Sequence, residues 1–339
     1  MPFSTNVSFS TNKLSLSLGS FFELHQLNGS LPISCSLNNE ALTIAEQVND
    51  KQSKQELVVF SDLSIENLIA LQTISNININ ALTAINIRNQ QTSYRFTISC
   101  DDFIFARKSV AKFALEKGIE AALVKDAPTL NEPGLLVMDM DSTTIEIECI
   151  DEIAKLAGVG EQVAAVTELA MLGELDFAQS LHQRVATLSD APETILADVA
   201  KKIPLMAGLE TLLAELKKHN WRIAVASGGF TYFADHLKEL LQLDATFANE
   251  LEIIDGKLTG KVLGSVVDAQ VKADSLTLLA KQYQIPATQT VAMGDGANDL
   301  VMMAAAGFGV AFHAKPIVLA QADSSINQQG LDCLLHWLA

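Results

Sequence analysis

Four short apolar runs, each closed by polar residues and followed by a helical pattern, constrain this chain more than any other feature. They are Leu135–Met138 (LLVM), Ile223–Ala226 (IAVA), Thr290–Met293 (TVAM) and Gly309–Phe312 (GVAF). Runs this short and this continuously apolar suit strands covered on both faces, as in a parallel sheet. The helical segments between them supply the right-handed crossovers that parallel strands need. The expected fold class is therefore α/β, with a doubly wound parallel-sheet (Rossmann-like) core. Such sheets bind ligands beyond the carboxyl ends of their strands. The residues just after three of the runs are Asp139, Ser227 and Asp295, which places three polar groups on one rim.

Two stretches interrupt this pattern. From Cys149 to Pro204 only helical periodicity is visible, with Phe177, Leu181, Val185 and Leu188 recurring along one face, so residues 149–204 read as a helical cap. Residues 250–262 (ELEIIDGKLTGKV) have strand-like halves about Asp255-Gly256 and read as a small β-hairpin insertion. Upstream, residues 1–100 are rich in Asn, Ser, Thr and Gln and weakly patterned. Glu56–Phe60 and Tyr94–Ser99 resemble strands, Asp101–Gly118 an amphipathic helix capped by Gly118, and Ile119–Val124 a further strand. The Pro, Asn and Gly of Lys125–Gly134 mark a linker. The expectation is a small α+β N-terminal domain over residues 1–130 and the α/β domain over residues 131–339.

Composition removes several function classes. The 339 residues are 49% apolar, enough for a sizeable core. The net charge of −17 argues against a nucleic-acid partner, whose backbone needs a basic face. A phosphate site in such a chain must be made positive locally, by a metal, a few Lys or Arg, or backbone N–H groups. Four scattered cysteines without a C-x-x-C pair point to a reducing, cytoplasmic setting. No signal-peptide pattern opens the chain, and no run approaches eighteen apolar residues, so neither secretion nor a membrane span is expected.

Four clusters can carry chemistry. Asp139-Met140-Asp141 follows a buried strand, where two carboxylates converge if the chain curls; alone the pattern more often marks a solvated loop or a structural metal site. Gly294-Asp295-Gly296-Ala297-Asn298-Asp299 follows another, with oxygen donors suited to a hard cation such as Mg²⁺, or a turn rich in Gly, Asn and Asp. Ser227-Gly228-Gly229 offers a hydroxyl and glycine N–H groups to phosphate oxygens, or an ordinary helix cap. Lys272 reads alone as a solvated charge. Together they make sense of one another. Four carboxylates would repel a phosphate dianion unless a cation and Lys272 compensate. A carboxylate can then act as nucleophile while a second carboxyl handles protons.

The ordered set DMDST, SGGF, a downstream Lys and GDGAND resembles the haloacid dehalogenase superfamily of phosphatases over about residues 134–325, closest to members that act on phosphoserine. The resemblance implies Asp139 as nucleophile and Asp141 as general acid and base. It implies Mg²⁺ held by Asp139, Asp295 and the Asp141 carbonyl, with Asp299 in support. Ser227, Gly228, Lys272 and Asn298 would contact the phosphoryl group or substrate. In the cap, IECIDEIA and TELAMLGELDFAQSLHQRV match the family's segments. They imply Glu148 for the substrate ammonium, Met171 and Phe177 as substrate contacts, and Arg184 for the carboxylate. From spacing alone Arg184 could equally lay its stem along the apolar stripe. The implied reaction is hydrolysis of O-phospho-L-serine, the last step of serine biosynthesis. The alternatives are a related phosphotransferase, a phosphatase for another small phospho-amino acid, and a binding protein on a retired enzyme fold. The N-terminal domain is expected to be ACT-like and regulatory; serine sensing, homodimer formation and support of the cap are three roles open to it.

Overall fold

The computed structural model describes residues 8–11, 13–24, 31–38, 41–45, 55–171 and 174–339. They form two compact units, Met1–Ala127 with Leu319–Ala339, and Pro128–Val318. Among the described residues no helix is long and apolar enough to cross a membrane.

The first unit contains strands β1 (Ser8–Thr11), β2 (Ile33–Leu37), β3 (Leu42–Ala45), β4 (Gln55–Phe60), β5 (Asn78–Arg88), β6 (Gln91–Ser99) and β7 (Ala121–Lys125), with helices α1 (Leu18–Leu24), α2 (Ile65–Ser75) and α3 (Phe103–Lys117). The strands lie in the order β1-β3-β2-β5-β6-β4-β7. The run β4-α2-β5-β6-α3-β7 thus follows the split βαββαβ path of ferredoxin-like domains. Each long helix carries its own stop signals. Ser64 accepts from the Asn67 N–H and Asp102 from the Phe105 N–H at the N-termini, and Asn76 and Gly118 close the C-termini at φ 53° and 61°. Leu68, Leu71, Val110 and Phe113 face Leu57, Phe96 and Ile98 of the sheet in a continuous core.

Leu319–Ala339 belong to this unit rather than to the α/β domain expected over 131–339, and buried charges explain why. Arg95, 4% exposed, pairs with Glu56 at 2.6 Å and donates to the carbonyls of His336, Trp337 and Leu338. Glu120 accepts the N–H groups of Asn327, Gln328 and Gln329. These bonds satisfy charges that burial would otherwise leave unpaired, a fault that costs about 3–5 kcal/mol.

The second unit holds β8 (Leu135–Met138), β9 (Arg222–Phe230), β10 (Ala245–Ile254), β11 (Lys257–Leu263), β12 (Thr290–Gly294) and β13 (Phe308–Phe312). Their order is β11-β10-β9-β8-β12-β13. All neighbours from β10 to β13 are parallel, and only β10–β11 is antiparallel. Asp255 and Gly256, at φ 50° and 74°, make the hairpin turn between them, as their sequence predicts. The hairpin is not wholly an insertion, however: β10 starts at Ala245, where Ala245–Phe247 extend the parallel sheet beside β9. Helices α4 (Cys149–Ala157), α5 (Gly160–Met171), α6 (Phe177–Thr187) and α7 (Thr194–Ala200) fill the segment expected to be helical. α8 (Leu209–Lys218), α9 (Thr231–Leu241), α10 (Ala269–Gln282) and α11 (Leu300–Ala305) connect the strands. α8 shows how they pack, burying Leu209, Leu212, Leu213 and Leu216 along one stripe.

Strand order reverses at β8: the chain proceeds from β8 to β9 and β10 on one side and places β12 and β13 on the other. The crevice beyond the end of β8 is the switch point at which such sheets bind ligands.

Candidate active site

Asp139 follows β8 directly and its N–H bonds the Met293 carbonyl of β12 at 2.9 Å, which fixes it at the switch point. One carboxylate oxygen accepts the Met140 N–H at 2.7 Å, and the Thr144 hydroxyl donates to the Asp139 carbonyl at 2.5 Å. The loop is curled tightly enough to hold Ser142 at φ 56°. Asp295 follows β12 and accepts from the Thr143 hydroxyl at 3.3 Å. Asp299 lies one turn later, fully buried, where Gly296 N–H donates to one of its oxygens at 3.0 Å. A Cβ on Gly294 would overlap the Asp299 carboxylate, so glycine there admits the close approach.

Lys272 reaches the same point from α10, whose N-terminus Asp268 caps through the Gln270 and Val271 N–H groups. It is 1% exposed, and its ammonium lies 2.8 Å from both Asp139 and Asp299. Burial alone would lower its pKa, but the two carboxylates carry it above the ordinary lysine value. Lys272 is thus a buried counter-ion, not the solvated charge that an isolated helical Lys suggests.

One ammonium does not balance this cluster. Asp139, Asp295 and Asp299 each offer an oxygen, all within 4.8 Å of one another, against the single charge of Lys272. Burial, then Asp139, raises the pKa of Asp295, and the same causes push Asp299 up to about 7 against the pull of Lys272. An all-oxygen, under-compensated cluster fits a hard divalent cation. Asp299 has both oxygens engaged, by Lys272 and Gly296, as has Asp139, by the Met140 N–H and Lys272.

Asp141 and Glu148 stand beside this cluster. Burial, then Glu148 and Asp139, pushes Asp141 up to about 8, although the Cys149 N–H approaches its carboxylate at 3.3 Å. A carboxyl raised this far is suited to exchange a proton near neutral pH. Glu148 occupies the N-cap position of α4 without a side-chain capping bond, and its carboxylate accepts from the Ser142 hydroxyl at 2.8 Å.

A cavity of about 400 Å³ joins these groups to the cap. Asp139, Asp141, Glu148 and Asp295 line it together with Ser227, Gly228 and Asn298. From the cap come Phe177 and Arg184, both on α6, whose N-terminus is fixed by a capping box between Asp176 and Gln179. Arg184 Nε is buried with no hydrogen-bond partner. Burial lowers the Arg184 pKa, and Asp151, Glu148 and Asp141 pull it back. Phe177 sits so close to Gly228 that a Cβ there would strike its ring. Asn298 is 3.5 Å from Asp139. Lys272 and Asp299 stand behind Asp139 rather than in the cavity wall. The Met171 side chain lies outside the described residues.

Asp151, Thr167 and Lys315 also line the cavity and were not singled out from the sequence. Asp151 shares a helical face with Glu148 three residues earlier, and Lys315 closely follows the β13 run. The rim rule that found Asp139 and Asp295 points to Lys315 as well.

A family model for haloacid dehalogenase-like hydrolases matches residues 134–307, just over half the chain. The phosphoserine phosphatase of Vibrio cholerae is 62% identical over 213 residues, covering 63% of this chain and 65% of that protein, so the match spans just under two thirds of its length. The phosphoserine phosphatase of Haemophilus influenzae is 58% identical over 228 residues, covering 67% of this chain and 73% of that protein. The crystal structure of a probable phosphoserine phosphatase from Vibrio cholerae, in unliganded form, superposes with a TM-score of 0.70 at 46% identity, covering 85% of this chain and 88% of that one. The aspartate cluster, its buried lysine and these likenesses agree, and the chain belongs to the haloacid dehalogenase-like hydrolases, in their phosphoserine phosphatase family.

Proposed function

We propose that the chain hydrolyses O-phospho-L-serine to L-serine and phosphate through an aspartyl-phosphate on Asp139. One observation carries the reading. The cavity that exposes Asp139, backed at 2.8 Å by Lys272, is also bordered by Arg184, whose Nε is buried without a partner. An orphaned guanidinium donor beside a phosphoryl-transfer centre suits a substrate that carries both a phosphate and a carboxylate.

The Asp139 carboxylate attacks phosphorus and the bond from phosphorus to the serine oxygen breaks. Asp141, with its pKa raised to about 8, gives its proton to that oxygen. It then takes a proton from the water that attacks the aspartyl-phosphate, which frees Asp139 and releases phosphate. Ser227 and Gly228 hold the phosphoryl oxygens, Lys272 offsets the charge of Asp139 from outside the cavity wall rather than binding the phosphoryl group directly, and Asn298 contacts the phosphoryl group from the opposite loop. Glu148 receives the ammonium, Arg184 the carboxylate, and Phe177 and Met171 the apolar part of the substrate. Mg²⁺ fits Asp139, Asp295 and the Asp141 carbonyl, with Asp299 in support, and when bound supplies positive charge against the phosphate.

The ferredoxin-like path of the first unit supports an ACT-like regulatory role for residues 1–130, with dimerisation a companion role. A small, polar substrate and free thiols suit a cytoplasmic setting.

The test is phosphate release from O-phospho-L-serine with Mg²⁺, beside phosphothreonine, phosphoethanolamine and a sugar phosphate. Preference for phosphoserine over phosphoethanolamine is expected, because the latter lacks the carboxylate that Arg184 would bind. Equal rates across the panel would leave the aspartyl-phosphate chemistry and remove the substrate assignment.

A further inference from the structure

The phosphate loop is a break in the sheet. In the β9–β10 ladder Ala226 pairs with Phe247 and Phe230 with Asn249, so Ser227, Gly228 and Gly229 together stand opposite Ala248 alone. Such a bulge aims side chains and N–H groups out of the strand, and it also removes the bulged residues from the ladder. Gly229 N–H finds a partner locally, in the Ser227 hydroxyl at 2.9 Å. The Gly228 carbonyl does not; it is met by the side-chain amide of Asn249, whose Nδ2 donates to it at 2.8 Å.

Asn249 is 2% exposed, and the other end of its amide is also used. Its Oδ1 accepts the Val267 N–H at 2.8 Å. Both partners are backbone groups of fixed polarity, so the orientation of the amide is set by them. Val267 immediately precedes Asp268, the N-cap of α10, and Lys272 closes the first turn of that helix through its N–H to the Asp268 carbonyl at 3.0 Å. One planar amide therefore ties the strand bulge that presents Ser227 and Gly228 to the helix start that presents Lys272.

We infer that Asn249 is a positioning residue for phosphoryl transfer, holding the Ser227–Gly229 bulge and the Lys272 helix at a fixed separation. The inference rests on the proposed reading of Ser227 and Gly228 as phosphoryl-binding groups and of Lys272 as the counter-ion of Asp139. Asn249 does not line the cavity, and it acts through the two elements it joins. The amide is planar and bonded at both ends within the chain itself, so the link it makes does not require substrate. Displacement by about 1 Å at a reacting centre costs on the order of a hundredfold in rate.

The test is Asn249→Asp, which keeps the acceptor for Val267 N–H and sets an acceptor against the Gly228 carbonyl. Turnover is measured on O-phospho-L-serine and on p-nitrophenyl phosphate, with inhibition by inorganic phosphate alongside. We expect kcat/KM to fall about a hundredfold on both substrates. The ratio between them should be preserved, since the cap contacts are untouched, and inhibition by phosphate should weaken. Asn249→Ser, in which a hydroxyl and a bridging water can restore the link in part, should fall between the wild type and Asn249→Asp. It supplies the measurement if the Asp variant does not fold. A purely structural Asn249 would lower the melting temperature and leave turnover per folded molecule and phosphate inhibition unchanged, and that result overturns the inference. Wild-type protein that releases phosphate from neither compound overturns the phosphoryl-binding reading itself, and the inference with it.

Discussion

Acidification should loosen the first unit through one imidazole. His336 is 1% exposed, bonds the Ser93 hydroxyl at 2.8 Å through Nδ1, and stacks obliquely against Phe60 at 4.8 Å. Burial, then the Arg88 cation, lowers its pKa from the ordinary 6.5 to about 4, and Arg95 adds to the effect. Between those values the unfolded chain takes up a proton that the folded unit refuses. Stability from this group is therefore complete above pH 6.5 and is lost as pH falls towards 4. At pH 4.5 the loss is on the order of 2–3 kcal/mol, enough to lower the melting temperature of a domain this size by roughly 5–10 °C. The two tryptophans of the chain divide between the units, Trp221 in the second and Trp337 beside His336 in the first. Urea unfolding followed by Trp337 emission in a Trp221→Phe background, at pH 7.5 and pH 4.5, reads the effect directly. His336→Gln removes the titration, so the wild type should lose more than this variant between the two conditions, by on the order of 2–3 kcal/mol. Parallel losses in the two proteins would refute the argument.

Asp139→Asn should abolish turnover on every substrate, because the amide is not a competent nucleophile; near-normal rates in a clean preparation would remove Asp139 from that role. Arg184→Ala should lower kcat/KM for phosphoserine by about a hundredfold, the value of about 2.7 kcal/mol for a lost charge-assisted contact, while sparing an aryl phosphate. Equal losses on both would make Arg184 structural. Chelation should stop activity and lower the melting temperature, and Mg²⁺ should restore both, with the thermal effect larger at pH 8 than at pH 5.5. The sign follows from Asp299, whose raised pKa makes the metal-free cluster costlier as pH rises past about 7. Gly228→Ala should impair turnover, because the added methyl strikes the Phe177 ring; wild-type rates would show that the ring yields freely.

Much of the second unit was legible because its signals are local. A buried strand followed by a carboxylate, as at Met138-Asp139 and Gly294-Asp295, needs no tertiary information to be noticed, and Asp255-Gly256 states its turn outright. Lys272 became informative only in company, since what separates a buried counter-ion from a solvated lysine is the pair of carboxylates brought to it by other elements. Asn249 carried no signal at all, because its task arises from a bulge on a neighbouring strand. In the first unit, α3 showed its C-cap at Gly118, while its N-cap at Asp102 was not singled out. By contrast β5 (NINALTAINIR) hid its alternation behind two register shifts against β6, between Ile79 and Ala81 and between Leu82 and Ala84. The start of β10 was missed for a simpler cause: Ala245–Phe247 are only half-buried, so no continuous apolar run marks them.

The return of Leu319–Ala339 to the first unit has a consequence for the order of synthesis. Residues 128–318 are contiguous, whereas the unit begun earlier is completed only by Leu319–Ala339. Until those are made Arg95 lacks the carbonyls of His336, Trp337 and Leu338, and Glu120 lacks the N–H groups it accepts. The half translated first is thus the half finished last, because its buried charges find their remaining partners only in residues 327–338.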